Sequence, residues 1–396
     1  MLTKAYIPYS GYYSTPFARW QGTLANQHAL VLGANTSKRF FQRRGWVPTN
    51  FDYVIVGSTV YQKQWFYGGP WVAAMLGAVN SPGVLVSQAC STSTFAIYQA
   101  GMGVETGLFG NCWCLMADRL SNGPHAVWPN PNGPGGQPIA EDWVMDNFGL
   151  DPWGGTAMIQ TAENVASEYS VTREECDALV LRRQDQYNDA LANDRAFQRR
   201  YMFPIEAQIS KKKAIQFEAD EGVIQSTAEG LAGLNPVIPG GVHSYGAQTH
   251  PADGNVGVLV TTREKAREMS SDEKVEIQIV SFGFSRAKKA FMAGAVAPSA
   301  QAALKNAGLT VADLGAVKTH NPFACNDLVM AKVMGLDVNT INNYGCSLIY
   351  GHPQAPTAGR QIIEGIEELV MKGGGYLLFS GCAAGDTGAS IVLKVS

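Results

Sequence analysis

The chain has 396 residues, 46% of them hydrophobic and only 16% charged, with a formal net charge of −3. Nothing in that balance argues for nucleic acid, no run reaches the roughly 18 apolar residues of a membrane helix, and Met1-Leu2-Thr3-Lys4-Ala5-Tyr6 lacks the apolar core of a signal peptide. The expectation is a cytoplasmic protein of two or three folding units with no nucleic-acid or membrane partner.

In chain order, Phe51–Gly57 reads as a buried strand, the stretch around Trp71–Leu76 as a helix, and Val84–Ser87 as a strand running into Cys90. Ser91–Met102 reads as a helix and Asn111–Ala117 as a strand, completing a βαβ rhythm that implies a mostly parallel sheet with helices on its faces. Cys112 and Cys114 share one face of that strand. From about 121 to 250 the texture changes. Pro129–Gly136 is loop by composition, Thr156–Tyr169 is helical, and Thr172 with Glu175 forms a capping box for a helix reaching about Arg195. Such an excursion predicts an inserted subdomain over a site. The βαβ rhythm then resumes: strand Val275–Ser281, helix Pro298–Asn306 stopped by Gly308, and strand Leu314–Thr319 ending at His320. Thr357 is placed to cap a helix whose Ile362, Ile363, Ile366, Leu369 and Val370 share one face. Tyr376–Ser380 and Ala389–Val395 are strands around the loop Cys382–Gly388. The similar order helix, glycine, strand in Gln99–Ala117 and Gln361–Ser380 predicts a duplicated α/β unit.

Seven cysteines, odd in number, scattered and without a CxxC pair, argue against a disulfide framework and against a metal site. Cys90 follows a buried strand and precedes Ser91-Thr92-Ser93-Thr94, a run of candidate helix caps; a thiol at a helix N-terminus is expected to lose its proton more readily. His352, fixed between Gly351 and Pro353, has the rigid placement a general base needs. His320 ends a strand, where parallel sheets present side chains to a crevice. Cys382 sits in a small-residue loop whose backbone N–H groups can approach a ligand. No P-loop, GxGxxG, GxSxG or HExxH motif competes. The residues alone give an α/β enzyme with a cysteine nucleophile and histidine bases.

Together these segments resemble the thiolase family. Gln88-Ala89-Cys90-Ser91-Thr92-Ser93 is similar to its nucleophile segment, and Met158–Ala166 to its M-x-x-T-A-E-x-x-A stretch. Gly351-His352-Pro353 resembles its GHP motif, preceded by Asn342 and Gly345 as in an N-x-x-G turn, and Cys382–Gly388 its closing loop. The resemblance implies a duplicated five-layered αβαβα fold, with an N-terminal half over 1–120, a loop domain over 121–250 and a C-terminal half over 251–396. It implies coenzyme A and acyl-CoA as substrates, with no permanently bound cofactor. It makes Cys90 the acyl carrier, His352 its base and Cys382 the acid–base at the α-carbon. His320 polarises the thioester oxygen, and the backbone N–H groups of Cys90 and Ala384 form an oxyanion hole. Thr249, Asn321 and Phe323 fall at coenzyme A-binding positions. A homodimer core is implied, as is, for some branches, a small zinc-ribbon/OB partner.

The sequence also departs from the pattern. His320-Asn321-Pro322-Phe323 replaces the usual N-E-A-F and resembles the sterol-carrier-type and archaeal branches. Ala384 stands where glycine is usual, and Asp220-Glu221-Gly222-Val223 lacks the basic residue expected near the coenzyme A 3′-phosphate. Trp65, Phe66, Tyr67, Trp71, Trp128, Trp143 and Trp153 fall in segments that line the acyl side in thiolases. At least half of them are expected in core and dimer packing, and the rest point to a bulky or aromatic acyl group, as in benzoylsuccinyl-CoA thiolase. The alternatives are a ketoacyl- or hydroxymethylglutaryl-synthase-like condensing enzyme, against which Cys382 argues, and a non-catalytic acyl-CoA-binding subunit, against which the complete residue set argues.

Overall fold

The computed structural model describes residues 1–130 and 132–396; of the loop expected at Pro129–Gly136, Pro131 lies outside the described residues. Among these, the strands in chain order are β1 Ala5–Pro8, β2 Tyr12–Ser14, β3 Ala18–Arg19, β4 Tyr53–Gly57, β5 Gly83–Val86, β6 Asn111–Arg119, β7 His125–Trp128, β8 Ile139–Asp142, β9 Ile205–Ser210, β10 Lys213–Phe217, β11 Ala252–Thr262, β12 Glu276–Arg286, β13 Leu314–His320, β14 Gly375–Ala383 and β15 Thr387–Val395. The helices are α1 Ala29–Arg44, α2 Gly68–Leu76, α3 Thr92–Glu105, α4 Met145–Gly149, α5 Met158–Glu168, α6 Arg173–Arg195, α7 Ala228–Ala232, α8 Arg263–Met269, α9 Val296–Ala307, α10 Ala324–Met334, α11 Ser347–Tyr350 and α12 Ala355–Lys372. None is long and apolar enough to cross a membrane.

The main sheet runs β13-β14-β15-β12-β1-β11-β6-β4-β5, with β2 and β3 also on β11. It is mixed: β4 runs parallel to β5 and β6, and β13 parallel to β14, whereas β11, β12 and β15 are antiparallel to their neighbours. The short β1 joins the two halves, pairing Ala5 with Thr262 on one side and Ile7 with Ile277 on the other. Helices α1 and α2 cover the outer face of the first half and α9 that of the second. Helices α3 and α12 pack on each other between strands of both halves. The layers are therefore helix, sheet, helix, sheet, helix.

The central layer explains a departure from the sequence reading. The apolar stripe of α12 is buried as expected, but its opposite face is buried as well. Charge on that face is neutralised in place. Arg360 meets both oxygens of Asp220 at 2.7 and 2.8 Å and Glu364 at 3.0 Å, Lys318 meets Glu364 at 3.1 Å, and Glu367 accepts from Tyr12 at 2.7 Å. A buried charge stripped of such partners would be strongly unfavourable.

Local signals predict several ends. The Thr172–Glu175 capping box is present, and Gly308 stops α9 at φ 68. Thr357 does not cap α12: the helix begins two residues earlier, with Pro356 in its first turn, which frees the threonine hydroxyl for another partner.

Candidate active site

β5 delivers the chain to a tight turn before α3. Ala89 is forced to φ 45. Thr92 ties the turn, its hydroxyl accepting from Gln88 N–H at 2.9 Å and donating to Ala89 O at 2.7 Å. Ser93 donates to the Ala355 carbonyl, binding α3 to α12. The expected row of helix caps is thus a set of staples. Ser91 makes no side-chain cap, and among the described residues the Ser91 and Thr94 hydroxyls have no partner.

Cys90 projects from this turn, 8% exposed, into a cavity of about 540 Å³. Its Sγ lies 3.2 Å from His352 Nε2 and 3.3 Å from Gln354 Oε1. Burial pushes the Cys90 thiol up to about 12, against the opposing pull of the Cys90 and Ala384 backbone N–H groups that face it. The expectation of a readily formed thiolate at a helix N-terminus is therefore reversed, because desolvation outweighs the dipole. Both N–H groups point at the sulfur.

His352 is positioned from three sides. Its N–H donates to His250 O at 2.9 Å, Nδ1 meets Thr357 Oγ1 at 2.6 Å, and Nε2 faces the thiol. Burial, with His320 alongside, holds its pKa well below the usual range. The His320 ring centroid is 4.1 Å from that of His352. Burial holds His320 at about 3, so it does not titrate near neutral pH as an exposed histidine would. His320 Nδ1 contacts Ser347 Oγ at 2.9 Å, while Nε2 is buried with no partner. Ser347 has one proton and two nearby acceptors. Asn321 Oδ1, which receives Leu348 N–H at 3.2 Å, lies 3.1 Å from Ser347 Oγ; in the tautomer in which His320 Nδ1 accepts the serine proton, Nε2 carries the ring proton and is a donor.

Cys382 lies fully buried at the end of β14. Burial, reinforced by neighbouring Cys90, raises its pKa, while Asn326 Nδ2 contacts its sulfur at 3.3 Å. Its loop is held by Asp386, which accepts from Ala290 and Phe291 N–H at 2.8 and 3.0 Å, and by Asp151, which accepts from Gly385 N–H at 2.9 Å.

Thr249 and Phe323 line the cavity. Thr249 donates its N–H to Pro322 O at 2.7 Å and its hydroxyl to Ser347 O. Asn321 does not line the cavity. It is fully buried, giving Nδ2 to Asp327 at 2.7 Å, accepting Leu348 N–H on Oδ1 at 3.2 Å and lying 3.1 Å from Ser347 Oγ. Its place is behind His320 as a scaffold, which corrects the expectation of a coenzyme A contact. Of the expected aromatics only Trp143 reaches the cavity wall, anchored by Nε1 to Thr59 O at 3.0 Å. Phe66 is 99% exposed, and Trp153 lies under Arg286 with the guanidinium 4.5 Å from its ring.

Sequence reasoning missed Gln354, Asn326 and Asp118. Asp118 is buried and accepts from Ser58 Oγ, Thr59 N–H and Oγ1, Val60 N–H and Ala355 N–H at 2.8–3.1 Å, joining the wall of the first half to the start of α12. None of these carries a local signal, because each acts through contacts distant in sequence. Cys90, His320 and His352 offer donor atoms within 4.8 Å of one another, enough to hold a soft metal ion. The same closeness puts the sulfur within hydrogen-bond reach of the imidazole.

Comparisons with known proteins agree with this geometry. Residues 11–264 match the family model "Thiolase, N-terminal domain" and residues 273–395 match "Thiolase, C-terminal domain". The chain is 27% identical to a probable acetyl-CoA acetyltransferase of Mycobacterium leprae, over 96% of this chain and 97% of that one. It is 25% identical to the mitochondrial 3-ketoacyl-CoA thiolase of Homo sapiens, over 96% of each. The crystal structure of the human mitochondrial 3-ketoacyl-CoA thiolase superposes with a TM-score of 0.90 at 24% identity, covering 99% of both chains.

Proposed function

The chain belongs to the thiolase family, and on that premise we propose that it is an acyl-CoA acyltransferase that cleaves a 3-oxoacyl-CoA with coenzyme A, or runs the reverse condensation, through an acyl group on Cys90. The observation that carries this reading is the 3.2 Å contact between Cys90 Sγ and His352 Nε2 at the cavity wall. In the competent tautomer His352 Nδ1–H donates to Thr357 and Nε2 takes the thiol proton. The sulfur attacks the 3-oxo carbon as the C2–C3 bond breaks. The acyl group stays on Cys90, and the departing enolate takes a proton from Cys382. Coenzyme A then gives its thiol proton to the Cys382 thiolate and attacks the thioester. Acyl-CoA leaves, and His352 returns its proton to Cys90. Developing negative charge on oxygen meets the N–H groups of Cys90 and Ala384 in one half-reaction and the free His320 Nε2 donor in the other.

The acyl group is proposed to be bulky. Trp143, Phe148, Met145, Met158, Val60 and Leu120 line a cavity of about 540 Å³, which favours a branched or aromatic acyl group such as that of benzoylsuccinyl-CoA over acetyl. The segment 121–250 supplies several of these walls and is assigned as the loop domain over the site, between halves 1–120 and 251–396. A homodimer is proposed through the open edge at β5, whose strand leads into the nucleophile turn. A zinc-ribbon/OB partner stands as a proposal from the likeness of His320-Asn321-Pro322-Phe323 alone.

Mass spectrometry after mixing with acetyl-CoA and with benzoylsuccinyl-CoA is expected to give one acyl adduct per chain, on Cys90. Thiolysis is followed by loss of the 3-oxoacyl-CoA enolate absorbance. No adduct with any thioester refutes the acyltransferase reading in favour of a binding subunit. An adduct without carbon–carbon cleavage refutes the thiolase assignment in favour of another condensing chemistry.

A further inference from the structure

The turn between His352 and α12 carries a side chain that the reaction above does not use. Gln354 sits at φ 62, ψ −103, a conformation that glycine adopts freely and a residue with a Cβ resists. The turn is held open by Asp118, which accepts Ala355 N–H at 3.0 Å, and by Thr357 N–H on Gln354 O at 3.2 Å. Glycine would meet the backbone requirement better, so the carboxamide is the reason for a side chain here.

That carboxamide lies at the reacting sulfur. Its Oε1 lies 3.3 Å from Cys90 Sγ, beside the catalytic imidazole at 3.2 Å, so the two are alternative acceptors of the one thiol proton. Gln354 lines the cavity and is 6% exposed. Among the described residues nothing accepts from its Nε2. The cavity it lines is mostly apolar, with Val60, Leu120, Val144, Met292 and Phe323 in its wall. An unsatisfied donor in apolar surroundings discriminates strongly between ligands that do and do not supply an acceptor.

We propose that Gln354 is a specificity-determining residue whose Nε2 donates to a neutral acceptor oxygen carried by the acyl group a few atoms beyond its thioester carbonyl. This deepens the acyl-Cys90 reading and rests on it. The acyl group is then bulky and oxygenated, which narrows the branched and aromatic groups above to those carrying such an oxygen and leaves out unsubstituted benzoyl.

The test compares 4-oxopentanoyl-CoA with the equally shaped 4-methylpentanoyl-CoA as donors to Cys90, reading acylation rates by quenched mass spectrometry in the full-length protein. The wild type is expected to favour the oxo compound. In Gln354→Met, which keeps the length and removes the donor, the ratio of rates should fall about three- to tenfold, the worth of one hydrogen bond. Gln354→Gly relieves the backbone and should lose the same preference, so a folding defect in the Met variant does not decide the outcome. Equal ratios in wild type and variants, including equal slowing of both thioesters, overturn the inference and leave Gln354 as a turn residue. Failure of the wild type to take acetyl from acetyl-CoA onto Cys90 overturns the thiolase reading itself and this inference with it.

Discussion

The Cys90–His352 pair yields a sharp expectation for pH dependence. Burial pushes the thiol to about 12 and keeps the imidazole well below its usual range, so both groups are neutral from pH 6 to 9. Acylation then proceeds by proton transfer within the pair, and its rate should be flat across that interval. His352→Ala removes the acceptor at 3.2 Å. The variant must rely on thiolate formed by ionisation to water. With the thiol at about 12, roughly 10⁻⁵ of it is ionised at pH 7, and the fraction rises about tenfold per pH unit. Loss of a positioned general base typically costs about 10²–10⁴ in rate. The variant should therefore be slower by that range at pH 7 and climb with unit slope towards pH 10. Single-turnover acylation from acetyl-CoA, quenched and read by mass spectrometry, gives both profiles. A wild-type inflection between pH 6 and 8, or a flat profile in the variant, would refute the neutral-pair account and point to a thiolate–imidazolium resting state.

His320→Asn should retain substantial turnover by offering another N–H donor, whereas His320→Ala should lose about 10²–10³ in kcat with little change in KM. Equal activity of wild type, Asn and Ala would make His320 a packing residue. Cys382→Ser should abolish carbon–carbon cleavage while Cys90 still acylates slowly from acetyl-CoA, and Asn326→Ala, which removes the 3.3 Å contact to Cys382, should slow the same step less. Normal thiolysis by the serine variant would leave the closing loop without a chemical role. Arg360→Met takes the cation from buried Asp220 and one of two from Glu364, which keeps Lys318, and should lower unfolding free energy by about 3–5 kcal/mol. A urea midpoint within error of wild type would show that water reaches those carboxylates.

The parts legible in the sequence are those with a local signature. Cys90 stands where a buried strand meets a helix of small polar residues, and His352 is pinned between glycine and proline, so each announces a rigid turn before any contact is known. The βαβ rhythm gives the class of fold, and the Thr172–Glu175 pair and Gly308 give helix ends. What stays hidden is set by tertiary contact. The serine–threonine run after Cys90 reads as caps, yet its hydroxyls tie a turn and join α3 to α12 across the molecule. The face of α12 carrying Arg360, Glu364 and Glu367 reads as solvated because charge usually is. It is buried because a second sheet half, invisible to local pattern, closes over it. The thiol read as activated is the clearest case. A helix terminus is a sequence-level signal, but desolvation depends on what distant segments bring to the cavity, and it moves Cys90 the other way. Gln354 combines both limits, since its backbone angle is imposed by the turn after His352 and its partner lies 264 residues away. The same long-range closure that hides these residues from local pattern assembles the site. Cys90 comes from the first half of the chain and His352 from the second, so the proposed reactive pair exists only once the two halves have packed around α3 and α12.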